Sequence, residues 1–234
     1  MAKKRALLLV KMDPPSNVDE TDWNHWYNNV HLPGRLALPG FLFARRFASV
    51  GYKMDRSASD ATVKYLTLVD LDGTTALKSA AYQQLYERDI ALPSSSFEFI
   101  TRTLPTFTRG VYEQIFPEAQ DYRPPDTRYV YVVGHDVPRN KHAEFNAWYN
   151  TGHIPNVLRV PGFVAARRFK LSKQFPLMGA NPVPQYISVY DIDRENPFQG
   201  EIFKSIECTP WNTWARTWFT RRLRIFGRRI YPEG

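Results

Sequence analysis

Four side chains near the N-terminus are spaced for chemistry on one face of a helix. Asn24, Tyr27, Asn28 and His31 stand at i, i+3, i+4 and i+7, positions that fall in line on a helical wheel. Amides and a phenol can orient a polar ligand edge, and an imidazole that titrates near neutrality can take up or release a proton. The same stripe recurs as Asn146, Tyr149, Asn150 and His153. His31 and His153 are therefore candidate acid/base groups, with Tyr27 and Tyr149 beside them and the four asparagines as substrate contacts. A structural reading stands next to this one, because amides and imidazoles near a helix C-terminus also satisfy dangling carbonyls. Trp26 and Trp148, between the stripe residues, read as core, with cavity lining as the alternative.

The recurrence extends well beyond the stripe. Between residues 23–47 and 145–169, fourteen of twenty-five positions are identical without a gap. The flanks match in kind: LLLVKMD (7–13) with VYVVGHD (130–136), YLTLVDLD (65–72) with YISVYDID (186–193), and IFPE (115–118) with IYPE (230–233). A chain so built is a tandem repeat, and a repeat fixes the architecture before any local detail does.

In the first unit, 5–12 is an aliphatic strand. Residues 19–31 are a helix with Ser16, Asp19 or Thr21 as N-cap, ended by Pro33. The string LPGF turns the chain into a strand over 41–50, and 63–73 returns as its hairpin partner. Residues 74–89 read as a helix capped by Thr74, and a last strand lies within 104–116. The second unit gives a strand at 128–136, a helix at 140–153, strands at 163–172 and 184–193, a helical segment near 197–220 and a strand at 224–231. The order β-α-β-β-α-β is the ferredoxin-like unit. Its sheet is covered by helices on one face only, so two units can bury their bare faces on each other. The fold class is accordingly α+β: two ferredoxin-like repeats packed sheet to sheet, as a pseudo-dimeric barrel within one chain. The repeats are 1–118 and 128–234, joined through 119–127 in the proline- and charge-rich string PEAQDYRPPD.

Arg45–Arg46 and Arg167–Arg168 occupy strands in both repeats. Neighbours on a strand face opposite ways, so Arg46 and Arg168 are candidates to meet an anionic substrate group. The competing reading is an outer ion pair with Asp70 or Asp191 across the hairpin. The strings at 52–64 and 172–185 are too long for tight turns, and the second, rich in Pro and Gly, reads as a lid.

Net charge is +8, with arginines 216, 221, 222, 224, 228 and 229 near the C-terminus. A nucleic-acid patch is one reading, but the alternation with Leu223, Ile225 and Ile230 favours a half-buried element and no nucleic-acid partner. A single cysteine, Cys208, excludes an internal disulfide and cysteine-clustered metal sites. No apolar run approaches the roughly 20 residues that span a bilayer, and the apolar run 6–10, too short for a signal peptide and followed by no small-residue cleavage site, reads as a first strand. These features fit a cytoplasmic protein without a membrane partner. Motifs for phosphate loops, zinc proteases and serine hydrolases are absent from the sequence.

The strings NHWYNNVHLPGRLALPGFLFARRF and FNAWYNTGHIPNVLRVPGFVAARRF resemble the dimeric α+β barrel superfamily, most closely its EthD-like branch, over essentially the whole chain. That resemblance implies a ligand cavity between the barrel sheet and its own helices, hence two cavities in a tandem chain. It implies cofactor-free cyclases, isomerases, lyases, monooxygenases or haem enzymes as functional classes. Many relatives carry an acidic residue just before the motif histidine. Val30 and Gly152 stand there in this chain, which speaks against a carboxylate-assisted histidine. The function expected is histidine proton transfer on a small apolar, aromatic or polyketide-like molecule, without a cofactor. Haem ligation by one histidine and non-catalytic ligand binding are the alternatives. The oligomeric state expected is a monomer with an internal pseudo-two-fold axis, or a homodimer.

Overall fold

A computed structural model describes residues 4–50, 63–118, 123–172, 183–218 and 220–232, without the side chains of 221 and 222. Eight strands, all from this one chain, make a closed antiparallel barrel. They are β1 (Ala6–Met12), β2 (Phe41–Ser49), β3 (Tyr65–Leu71), β4 (Thr108–Phe116), β5 (Tyr129–Asp136), β6 (Phe163–Leu171), β7 (Tyr186–Ile192) and β8 (Arg221–Tyr231). Around the barrel they run β1-β3-β2-β8-β5-β7-β6-β4, and β4 pairs back onto β1. Each half contributes four neighbouring strands. The halves meet at two seams, β2 with β8 and β4 with β6. Closure within one chain leaves no strand edge unpaired.

Strand alternation sorts every side chain to one of two faces. Leu7, Leu9, Phe47, Leu66 and Leu68 meet Val130, Val132, Phe169, Ile187 and Val189 in the lumen, all without exposure. The lumen is a packed core. The outer face carries Leu8, Val10 and Val69 in the first half and Tyr131, Val133 and Tyr190 in the second, each set under its own helices. Covered on both sides, β1, β3 and β7 are buried at every position.

The double arginines split by the same alternation. Arg45 and Arg167 turn into the lumen. Arg45 Nη1 donates to Asp191 Oδ1 at 2.6 Å, and Arg167 pairs with Asp70. These pairs are not the outer, within-hairpin contacts expected from the sequence. Each joins an arginine of one half to an aspartate of the other, because barrel closure brings the two lumen faces together.

The helical layer departs from expectation at Pro33. Helix α1 (Glu20–Trp26) is capped by Asp19, whose carboxylate accepts from the Thr21 and Asp22 amides. The chain then makes one π-helical turn, Tyr27–His31, and continues as α2 (Leu32–Leu36). The Leu32 N–H donates to Tyr27 O. A proline in a regular helix clashes with the carbonyl four residues back and leaves it without a donor; the extra residue of a π turn absorbs both faults. The helix therefore passes through Pro33. The second half does the same: α5 (His142–Trp148), a π turn Tyr149–His153, then α6 (Ile154–Val157) around Pro155. After each, a proline-glycine turn leads to the next strand, with Gly40 at φ 86° and Gly162 at φ 104°, a region open to glycine.

Residues 74–89 are not one helix capped by Thr74. Thr74–Lys78 is a 3₁₀ turn, and α3 (Ala80–Ile90) starts at the Ser79 cap. A further helix, α4 (Phe97–Arg102), is capped by Ser96 and was not anticipated. In the second half the segment near 197–220 divides into α7 (Glu201–Glu207) and α8 (Pro210–Ala215). Most of the two long inter-strand strings, including the candidate lid at 172–185, lies outside the described residues. No helix among the described residues is long and apolar enough to cross a membrane. Within the C-terminal arginine run, Arg229 pairs with Asp126 at 2.5 Å and Arg216 pairs with Glu207, while Leu223, Ile225 and Phe226 are buried.

Candidate functional site

The Asn-Tyr-Asn-His stripe does not act as one face. The π turn widens the helix between Tyr27 and His31 and leaves the two ring centres 4.7 Å apart; in the second half the distance is 4.8 Å, edge to face. The stripe thereby divides. Tyrosine and histidine point into a space between helices and sheet, and the asparagines turn toward the seams.

The asparagines and the second arginine of each pair make a fastening between helix and strand. Arg46 Nη1 donates to Asn28 Oδ1 at 3.1 Å, and Asn24 Nδ2 donates to the Tyr65 hydroxyl at 2.9 Å. Arg168 donates to both Asn150 Oδ1 (2.6 Å) and Asn146 Oδ1 (2.9 Å). The Arg46 guanidinium lies 4.3 Å from the ring centres of Tyr27 and Tyr65; Arg168 lies 4.3 Å from that of Tyr149. Burial pulls both arginines down to about 10, so they stay charged at neutral pH, held by carbonyl dipoles and π faces. Arg46, Arg168, Asn24 and Asn28 line neither of the two cavities beneath the helices.

The first of those cavities, about 110 Å³, lies in the first half. Its walls include Leu8, Val10, Phe41, Val69 and Phe107, and its polar groups include Tyr27, His31, Thr67 and Glu98. His31 Nδ1 is 3.1 Å from Glu98 Oε1, with side-chain exposures of 18% and 13%. Glu98 comes from α4, more than half a repeat away in sequence. Arg35 Nη2 holds Asp89 at 2.5 Å and stands 3.7 Å from Glu98, so the dyad is the end of a four-membered chain of charges. Burial lowers the His31 pKa, while the Glu98 hydrogen bond opposes that shift. Burial raises the Tyr27 phenol, which accepts from Thr67 Oγ1 at 3.4 Å. Trp26 is half-buried and packs its ring 5.1 Å from His31.

In the second half the corresponding space has shrunk to about 40 Å³, little more than one water's share of liquid volume, ~30 Å³. Phe203 lines it, and Phe198 and Trp218 are buried in the same apolar cluster. No carboxylate pairs with His153 among the described residues. Glu207 lines the space but is taken by Arg216. Burial, reinforced by Arg168 and Arg216, pushes His153 down to about 3. Trp148 is buried with its ring 5.0 Å from His153. One histidine thus faces a carboxylate and the other faces arginines.

For His31 alone, the structure corrects the expectation of an unassisted histidine. The carboxylate that serves His31 is remote in sequence rather than the preceding residue. The string SSSFEFITR carried the available signal, a serine cap with an acidic first turn. Both cavities, at about 110 and 40 Å³, are smaller than the ~300–1,000 Å³ typical of drug-sized pockets. Among the described residues no three His, Cys, Asp or Glu side chains are grouped to hold a metal ion.

A closed eight-stranded barrel with helices outside and cavities between helix and sheet defines the dimeric α+β barrel fold, and solved structures similar to this chain have that fold. An anthrone oxidase-like protein matches with TM-score 0.58 at 13% identity, over 98% of this chain and 92% of the other. A putative chlorite dismutase matches with TM-score 0.60 at 11% identity, over 97% and 95%. A putative monooxygenase from Fusobacterium nucleatum matches with TM-score 0.52 at 12% identity, over 98% and 94%. At such identities the likeness is one of fold. No family model and no curated relative matches the sequence.

Proposed function

We propose that the protein is an enzyme that moves a proton on a small, largely apolar molecule without a cofactor, and that only its first half does so. Aromatic or polyketide-like carbonyl compounds are the substrate class, and lyase, isomerase or cyclase chemistry the reaction class. The observation that carries this reading is the His31–Glu98 pair beside the first cavity, set against a contracted second cavity whose histidine faces arginines. The EthD-like motif strings and the anthrone oxidase-like and monooxygenase neighbours support the substrate class by analogy of fold alone.

The chemistry follows from the geometry. Glu98 accepts the Nδ1 proton of neutral His31, which leaves the Nε2 lone pair as the base. Nε2 has no hydrogen-bond partner among the described residues. A lowered pKa keeps His31 unprotonated, and hence ready, at neutral pH. When Nε2 takes a proton from a carbon next to a carbonyl, Glu98 stabilises the imidazolium. Tyr27, kept protonated by burial, donates a hydrogen bond to the enolate oxygen and keeps its proton. His31 and Tyr27 are the catalytic residues in this scheme and Glu98 a positioning residue. The substrate's reacting end must be small, since ~150 Å³ already suits a benzene ring.

Deuterium exchange from D₂O into a series of aryl ketones, followed by proton NMR, tests the scheme, because any ketone that fits the cavity and carries a C–H next to its carbonyl can report. The wild type should catalyse exchange next to the carbonyl, and His31→Gln should lower the rate by about 10²–10⁴. Glu98→Gln removes the hydrogen bond that raises the His31 pKa, so the acid limb of the rate profile should move to lower pH as the rate falls. His153→Gln should leave the rate unchanged. Exchange indifferent to His31→Gln would overturn the proposal. We further propose a cytoplasmic protein of two repeats, 1–118 and 128–234, either a monomer with an internal pseudo-two-fold axis or a homodimer.

A further inference from the structure

The duplicated halves close their cavities in different ways. Helix α3 follows β3 in the first half as α7 follows β7 in the second. α7 buries Phe203 and Ile206, and the space beside it has contracted. α3 buries no apolar side chain: of its eleven residues only Asp89 is buried. Tyr82, Tyr86, Asp89 and Ile90 nevertheless line the first cavity, at spacings that share one helix face. Tyr86 and Ile90 are also 39% and 43% exposed, so α3 is a wall between that cavity and water.

The two ends of α3 are fastened differently. At the N-terminal end Ser79 caps the helix and Tyr82 stacks on Phe41, ring centres 5.6 Å apart. The Tyr82 hydroxyl accepts from Arg109 Nη2 at 2.9 Å. The C-terminal end is held by charge. Arg35 Nη2 donates to Asp89 Oδ2 at 2.5 Å, and Arg102 Nη2 donates to Ile90 O at 3.3 Å. Arg88 stands 3.7 Å from Asp89, but it belongs to the same helix and fastens it to nothing. Residues 91–95, which follow, are all exposed. The gapless alignment of the repeats puts Val157 in the place of Arg35. Val157 is buried and lines the contracted cavity, where it meets the apolar side chains of the second half. Parting such a contact exposes apolar surface to water. Parting Arg35 from Asp89 returns two charges to water, and their hydration offsets the lost attraction.

We propose that α3 is a lid on the first cavity, hinged at its Tyr82 end and latched by the Arg35–Asp89 pair, and that ligands enter when the latch parts. Arg35 and Asp89 are positioning residues in this device. The second half, with Val157 and a helix held by Phe203 and Ile206, stays shut. The lid rests on the walls of the cavity and not on the His31 reaction, so the two stand or fall separately.

Cysteine labelling tests the lid without any ligand. Val10 and Val133 are corresponding residues that line the first and second cavities. In a Cys208→Ser background, Val10→Cys should react with iodoacetamide at least about tenfold faster than Val133→Cys, because labelling tracks the population of the open form. Adding Arg35→Met or Asp89→Ala should speed labelling of Val10→Cys at least about tenfold further and leave Val133→Cys unchanged. Arg35→Lys keeps the charge and should label at close to the rate of the intact latch. Hydrogen exchange read by mass spectrometry separates a moving lid from a loosened protein: the amides of 80–90 should exchange faster in Arg35→Met while those of β3 do not. Labelling of Val10→Cys indifferent to both latch variants, or an acceleration shared by Val133→Cys and the β3 amides, would overturn the proposal.

Discussion

His31 and His153 occupy matching positions in near-identical strings, yet their surroundings set opposite electrostatics. A neutral imidazole beside a carboxylate is a base with a support for its conjugate acid. One beside two arginines resists protonation throughout the neutral range. His153 should therefore be visible in stability rather than in catalysis. Burial, then Arg168 and Arg216, put its folded pKa near 3, against 6.5 for the free side chain. A group whose pKa is depressed by folding contributes its full stability above the unfolded pKa and loses it as pH falls toward the folded one. Between pH 6.5 and 4.5, urea unfolding should show the wild type losing up to about 1.4 kcal/mol per pH unit more than His153→Gln. Parallel pH dependences would mean that the imidazole is well solvated.

At the scale of elements, the dyad depends on a short helix. α4 has six residues, too few to be stable alone, so Glu98 is positioned by what fastens the helix. Ser96 Oγ accepts from the Phe99 amide at 3.2 Å, and Thr101 Oγ1 accepts from the buried Trp23 indole at 2.9 Å. The second bond ties α4 to α1, the helix that leads into His31. Ser96→Ala should cost about 1 kcal/mol. Thr101→Val orphans the indole N–H and should cost about 1–3 kcal/mol. Thermal unfolding measures both losses. Each variant should also slow proton exchange while His31 itself is intact; full activity in both would show that α4 holds Glu98 by other means.

At the scale of the whole molecule, the two crossed ion pairs join the halves through the lumen. Arg45 and Asp191 are 5% and 0% exposed, so loss of one partner strands a buried charge. Asp191→Ala should cost about 3–5 kcal/mol, whereas the double change Arg45→Met/Asp191→Leu should cost much less or nothing. Guanidinium unfolding distinguishes the cases, and a double variant as unstable as the single one would mean that packing, not the charge, is at stake. The same closure that pairs these residues creates the two seams, and the seams need not be alike.

Much of this was legible in the residues. The repeated strings, the apolar strands and the P-G-F turns encode periodicities, and a periodicity is a local property that needs no partner to be read. They encode the strand order within each half and the pairing of the halves, and they mark the two histidines as candidates. Other features belong to no local string. The π turn arises from a proline acting on a carbonyl in the preceding turn, which divided a stripe that simple helical geometry keeps whole. The Glu98 carboxylate reaches His31 from another helix, 67 positions on. Arg45 and Asp191 meet across 146 positions. The sequence alone determined which groups are present and on which face of each element they begin. Tertiary structure decided which of them meet, because contact between distant residues is set by closure of the barrel, and so gave one copy of a duplicated histidine a carboxylate and the other a wall of arginine and aromatic rings.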